Sequence, residues 1–209
     1  MNEAEKYLAA HKSAAGSNGG DRAFLHSATA LDGLGRQGAS GSPGSIGKLA
    51  GLALVSGLFA IVSAIARQIS FELPVILPAV LVAPPVEEIL KVAFPIMVLE
   101  HRAKWLSRGT DLLWFAMGSA LVFSVVENLL YVFVYIESPT AGILAWRWIA
   151  CMAMHVAASG LAGIGLMKAH ERGLRTNQKP RFVLEWRWLA AAIAVHMAFN
   201  AVAVFSAFL

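Results

Sequence analysis

The stretch Leu73–Leu99, LPVILPAVLVAPPVEEILKVAFPIMVL, decides how the chain is read. It is long enough to cross a bilayer, which takes roughly 20 apolar residues in a helix, yet it contains Pro74, Pro78, Pro84, Pro85 and Pro95 together with Glu87, Glu88 and Lys91. A proline pair in mid-helix sacrifices backbone hydrogen bonds, whereas proline at the first helical position is favoured. The pattern therefore predicts a break at Pro84-Pro85 and a new half-helix behind it. Glu87 and Glu88 would then lie in the first turn, where free N–H groups and the positive dipole end stabilise carboxylates at membrane depth.

Four further apolar stretches surround this one: Leu49–Ala66, Leu112–Ile136, Ile143–Met167 and Trp188–Leu209. With 57% hydrophobic and 14% charged residues and a mean hydropathy of +0.63, the chain departs from soluble composition in the direction of a membrane protein. The expected fold is all-α, a polytopic transmembrane bundle of about five spans with the second broken at Pro84-Pro85. Residues 1–47, rich in Gly, Ser and Ala, read as a flexible cytoplasmic tail with no secretory signal pattern, and residues 48–209 as the transmembrane domain.

The net charge of +4 is carried by residues in the gaps between apolar runs, so nucleic acid is not an expected partner. Arg102, Lys104 and Arg108 fill one gap, and Lys168, Arg172, Arg175, Lys179 and Arg181 another, so the two gaps share the cytoplasmic side. Arg67 and Arg147 are the basic residues flanking opposite ends. With five spans the N-terminus is cytoplasmic, and the tryptophans fall near the interfaces. The single cysteine, Cys151, rules out a disulfide framework and reads as a packing residue.

Ionisable groups at bilayer depth are costly and point to function. Glu87, Glu88, Lys91, Glu127, His155 and His196 fall in spans at similar depth, which predicts one shared polar cavity. Lys91 lies i+4 from Glu87 and i+3 from Glu88, so it neutralises part of their charge. His196 and Asn200 share a helical face, as do His155 and Ser159, and Ser159 to Gly163 is a small-xxx-small spacing that permits close helix approach. Lys91, Ser159 and Asn128 have adequate structural explanations; the paired glutamates do not.

Four motifs in order, EEILK (Glu87–Lys91), FSVVEN (Phe123–Asn128), HVAAS (His155–Ser159) and HMAFN (His196–Asn200), resemble those of the PrsW family of intramembrane proteases. That family shares a superfamily with the CAAX prenyl endopeptidases, in which the second motif usually ends in histidine. Here it ends in Glu127, as in the PrsW branch. The resemblance covers about Pro85 to Asn200. It implies site-specific hydrolysis of membrane-anchored proteins in a bacterial cytoplasmic membrane, with anti-sigma factors the substrates of the family's namesake.

Two chemistries use the same residues. In one, Glu87 is a general base acting on water, with Glu127 orienting it and His196 and Asn200 donating to the oxyanion. In the other, His155, His196 and a glutamate, Glu127, bind zinc and another glutamate acts as base. Glu88 orients or shares charge. Three glutamates against Lys91 leave two negative charges, a slight argument for a bound cation. Aspartyl chemistry fails because the only Asp after the tail is Asp111, at a span end. A serine route through Ser159 and His196 leaves three glutamates without purpose. Outside proteolysis, the same midplane charges describe a proton- or ion-coupled transporter or a catalytically dead scaffold. Oligomeric state is not legible.

Overall fold

The computed structural model describes residues 43–69 and 78–206, and every element among them is helical. Helix α1 spans Pro43–Ile69, starting ahead of the expected boundary at residue 48. A π turn, Pro78–Val82, leads into α2, Ala83–His101, with Pro84 and Pro85 among its first residues. Helix α3 spans Thr110–Leu130 and runs on as a π segment to Tyr135. The short α4, Ala141–Ala145, continues through a π segment, Trp146–Cys151, into α5, Met152–Thr176. Helix α6 spans Trp186–Ser206. The expected tail falls almost wholly outside the described residues.

Three continuous helices are long and apolar enough to cross a membrane: Thr110–Tyr135, Ala141–Thr176 and Phe182–Ser206. Helix α1 contributes a shorter apolar run, Gly47–Val62. Helix α2 lacks such a composition because Glu87, Glu88 and Lys91 are built into it, all three buried. Outward-facing Leu54, Val62, Leu129, Phe133, Ile149, Val202 and Phe205 are exposed, which suits hydrocarbon and not water. The chain is an integral membrane protein.

Helix α5 is the central element, packed against α2, α3 and α6, while α1 lies on α2 and α3. Small residues set these approaches. A Cβ on Gly163 of α5 would come 3.0 Å from the Cα of Leu113 on α3, and one on Gly57 of α1 would come 2.6 Å from the carbonyl oxygen of Ser119. The backbones therefore touch where a side chain would separate them.

Pro95 shapes the middle of α2. Without an N–H it cannot bond the carbonyl of Lys91, four residues earlier. That oxygen instead accepts Ser56 Oγ of α1 and Ser119 Oγ of α3, each at 2.8 Å. Both serines are fully buried, so α1, α2 and α3 are hooked together at the level of Lys91.

The two basic gaps lie at the same end of the bundle, as their composition implies. The backbone N–H of Phe182, ahead of α6, donates to Glu100 Oε1 at the end of α2 (3.0 Å), and the exposed Arg172 pairs with the buried Glu185. Asp111 accepts the backbone N–H groups of Ser107 and Arg108 at the start of α3. Asn177, in the left-handed conformation at φ 51°, closes α5.

Candidate active site

Four helices deliver the polar groups expected of them to one buried cluster. Glu88 is at its centre: Oε1 accepts Lys91 Nζ at 2.7 Å and bonds His196 Nδ1 at 2.9 Å, and Oε2 accepts Ser159 Oγ at 2.7 Å. All four residues are buried. Lys91 Nζ also donates to His155 Nδ1 at 2.8 Å and lies 4.3 Å from the centroid of the Phe123 ring. His155 Nε2 is 3.0 Å from Glu127 Oε2, and the His155 and His196 rings meet edge to face with centroids 4.8 Å apart.

These contacts fix the ring protons. A carboxylate only accepts, so His196 Nδ1 carries the hydrogen and Nε2 presents its lone pair. That Nε2 faces Glu87 Oε2 at 3.7 Å. An ammonium only donates, so His155 Nδ1 is the acceptor and its Nε2–H points at Glu127. The pair of histidines thus holds opposite tautomers, each set by a group on α2.

A cavity of about 140 Å³ opens beside this cluster, walled by Glu127, Arg147, His155, His196 and Asn200 among others. Tyr131, Met154 and the stacked pair Trp146 and Phe199 form its apolar part. Asn200 Nδ2 donates to Ala79 O at 2.9 Å, tying α6 to the turn before α2. An amide nitrogen carries two hydrogens, so Asn200, a residue of the cavity wall, keeps a second donor. Cys151 is buried and lines the same wall.

The first-turn placement of Glu87 and Glu88 is corrected by the structure. Helix α2 begins at Ala83 and is preceded by a π turn, so both glutamates lie beyond the free N–H groups, and no acidic residue stands in the first turn. Their compensation comes from side chains of α2, α5 and α6 instead. The lysine, read as partner to both, bonds Glu88 and reaches across to His155. Ser159 gives its proton to Glu88 and not to a histidine, which removes the serine route.

One residue escaped the sequence reading. Arg147, taken as a flank of the fourth span, turns inward: Nη2 donates to Glu127 Oε2 and Nε to Asn128 Oδ1, both at 3.1 Å, while Asn128 Nδ2 donates back to Arg147 O at 3.0 Å. The signal was present, since an arginine at the non-basic end of a span violates the charge rule and needs a partner. It also changes the charge balance. Lys91 and Arg147 leave three glutamates with a single excess negative charge, where Lys91 alone left two.

One ligand-capable atom from each of Glu87, His155 and His196 lies within 4.8 Å of the others. Two imidazoles and a carboxylate are a donor set found in open zinc sites. The carboxylate of this set is Glu87; Glu127, expected from sequence as a ligand, lies 3.0 Å from His155 Nε2 and is also held by Arg147. The chemistry of the three donors fits a divalent transition metal.

A bundle of membrane helices encloses a buried carboxylate and imidazole cluster beside a small cavity, the arrangement that an intramembrane hydrolase requires. The family model described as PrsW family intramembrane metalloprotease matches residues 45–209, and the chain belongs to that family. No curated protein and no solved structure matches it. Family membership makes the protein a protease acting within the bilayer and favours this over the transporter alternative.

Proposed function

We propose that the protein is a zinc-dependent endopeptidase of membrane-anchored proteins, with Glu87, His155 and His196 holding the metal and Glu127 acting as general base. The observation that carries this reading is the approach of those three donors within 4.8 Å, with Glu127 on the cavity wall beside them. When bound, the metal would polarise a peptide carbonyl and activate water as a Lewis acid.

The protein's own groups supply the rest. Glu88 holds His196 Nδ1–H, so the opposite nitrogen is aimed at the site with its lone pair; a carboxylate behind a ligating histidine raises its basicity and fixes its ring. Were His155 to ligate through Nε2, its proton would leave by way of Glu127 Oε2, 3.0 Å away, to the cavity, and Lys91 Nζ, 2.8 Å from Nδ1, would pass one to that nitrogen, so that the ring stays neutral and Glu127 returns to a carboxylate. On the cavity side Glu127 accepts a proton from water and returns it to the leaving amine. The remaining N–H of Asn200 donates to the oxygen that becomes negative in the transition state. Tyr131, Trp146 and Phe199 give the approach an apolar wall.

The two basic gaps at one end of the bundle support a bacterial cytoplasmic membrane orientation with the N-terminus inside. The cavity lies toward the other end, between the last turns of α3 and α6 and the start of α5. A substrate chain must unwind to present a peptide bond in so small a space.

The test uses purified protein in detergent and cells that make it. Elemental analysis of wild type should find about one zinc per chain, absent from a His155→Ala, His196→Ala double variant. Terminal proteomics of membranes should show new termini in wild type that Glu87→Gln abolishes at equal abundance. Active protein without bound metal would overturn the metal assignment and leave Glu87 and Glu127 acting directly on water.

A further inference from the structure

Arg147 has no role in the reading above, yet it is the one cation on the cavity wall among the described residues. We propose that Arg147 is a positioning residue of the peptidase centre, clamping Glu127 against His155 by holding Glu127, Asn128 and Tyr131 simultaneously. The proposal rests on the assignment of Glu127 to the catalytic centre.

Three contacts support it. The Nη2 and Nε groups engage different acceptors on α3, Glu127 Oε2 and Asn128 Oδ1, and the guanidinium carbon lies 3.6 Å from the Tyr131 ring centroid. Asn128 closes the grip by donating to the Arg147 backbone. The same Glu127 oxygen that takes Nη2 meets His155 Nε2, so Arg147 and His155 approach one atom from two sides.

Local backbone geometry puts the arginine there. In an unbroken α-helix, eight residues would leave Arg147 about 80° around the axis from His155. The chain between them is a π segment, Trp146–Cys151, whose wider turn rotates each residue less and removes much of that offset. Arg147, Cys151, Met154 and His155 consequently face one cavity. A π turn that costs helix regularity here places a charged side chain opposite α3. Bulk charge alone would not require this arrangement, because a lysine ammonium cannot span two acceptors in a fixed fork.

The test is histidine-selective nitrogen-15 NMR of the full chain, paired with cleavage of a membrane-anchored peptide carrying a site identified by terminal proteomics. Arg147→Gln should shift the His155 ring nitrogens while leaving those of His196, held by Glu88, in place. It should lower kcat about 10- to 100-fold, the range seen when groups behind a metal ligand are removed, with little change in KM. Arg147→Lys should recover part of both effects. In a Glu127→Gln background the same substitution should add nothing to either. Unshifted His155 nitrogens in folded Arg147→Gln, an effect that persists undiminished in the Glu127→Gln background, or a loss expressed in KM alone each overturns the proposal. If Arg147→Gln does not fold, Arg147→Lys decides, since a His155 signal identical to wild type removes the need for the fork. The NMR arm is independent of turnover: an inactive wild type refutes the protease reading of the site and not the clamp.

Discussion

The hook on the Lys91 carbonyl gives a prediction with an internal control. In wild type this buried oxygen, deprived of its helical partner by Pro95, accepts Ser56 and Ser119 at 2.8 Å each. Replacing either serine with alanine leaves the other hydroxyl in place, and interhelical hydrogen bonds in membranes average about 0.6 kcal/mol, so each single variant should cost little. Replacing both orphans the carbonyl. A buried unsatisfied acceptor costs about 1–3 kcal/mol, so the double variant should lose about 2 kcal/mol, more than the sum of the singles. Pro95→Ala restores an N–H at the position that completes the helix bond. In that background the double serine variant should cost about 1.2 kcal/mol, two bonds at about 0.6 kcal/mol each, leaving a coupling of about 0.8 kcal/mol, about fourfold in the unfolding equilibrium. Reversible unfolding in mixed micelles, followed by circular dichroism, reads both numbers. An equal loss in the wild-type and Pro95→Ala backgrounds would falsify the idea that proline's missing donor is why the serines are there.

Glu88→Gln should be harmful to folding, because it leaves the Lys91 ammonium buried without its ion pair; about 3–5 kcal/mol of stability should disappear in the same unfolding assay. Ser159→Ala removes one of three donors to Glu88 and should cost about 1 kcal/mol with the metal-binding capacity of Glu87, His155 and His196 unchanged. Gly57→Leu drives a side chain into the Ser119 carbonyl and Val122, and should abolish the folded form on gel filtration, whereas Gly51→Leu, with open space around its Cβ position, should elute as wild type. Cys151→Ser should leave proteolysis near wild type, since the thiol has no assigned part in the chemistry; complete inactivity would require a role for sulfur on the cavity wall.

Much of the fold was legible because hydrocarbon is an unforgiving solvent. Long apolar runs must be helices there, and Pro84-Pro85 must stand at a helix start, as they do in α2. The polar cluster was legible for the same reason: Glu87, Glu88, Glu127, His155 and His196 are costly inside a membrane and fall at similar depth, the paired glutamates having no adequate structural explanation, and all five are buried. Basic residues in two gaps implied that those gaps share an end, and the Phe182 to Glu100 bond joins them there.

The partners of each group were not legible, since spacing along one helix says nothing of what a neighbouring helix presents. Lys91 was matched to glutamates on its own helix, but its second contact, His155, comes from α5. The serines that replace Pro95's missing donor come from two other helices, and no periodicity links residue 56 to residue 119. Arg147 is the clearest case. Its sequence position marks a span end, and only the π turn and the packing of α3 against α5 turn it inward onto Glu127. Which residues are too polar for lipid, and hence must meet, follows from their order along the chain. Which oxygen meets which nitrogen follows from the packed helices alone, because hydrogen bonds are directional and short while hydrophobic patterning specifies only a face.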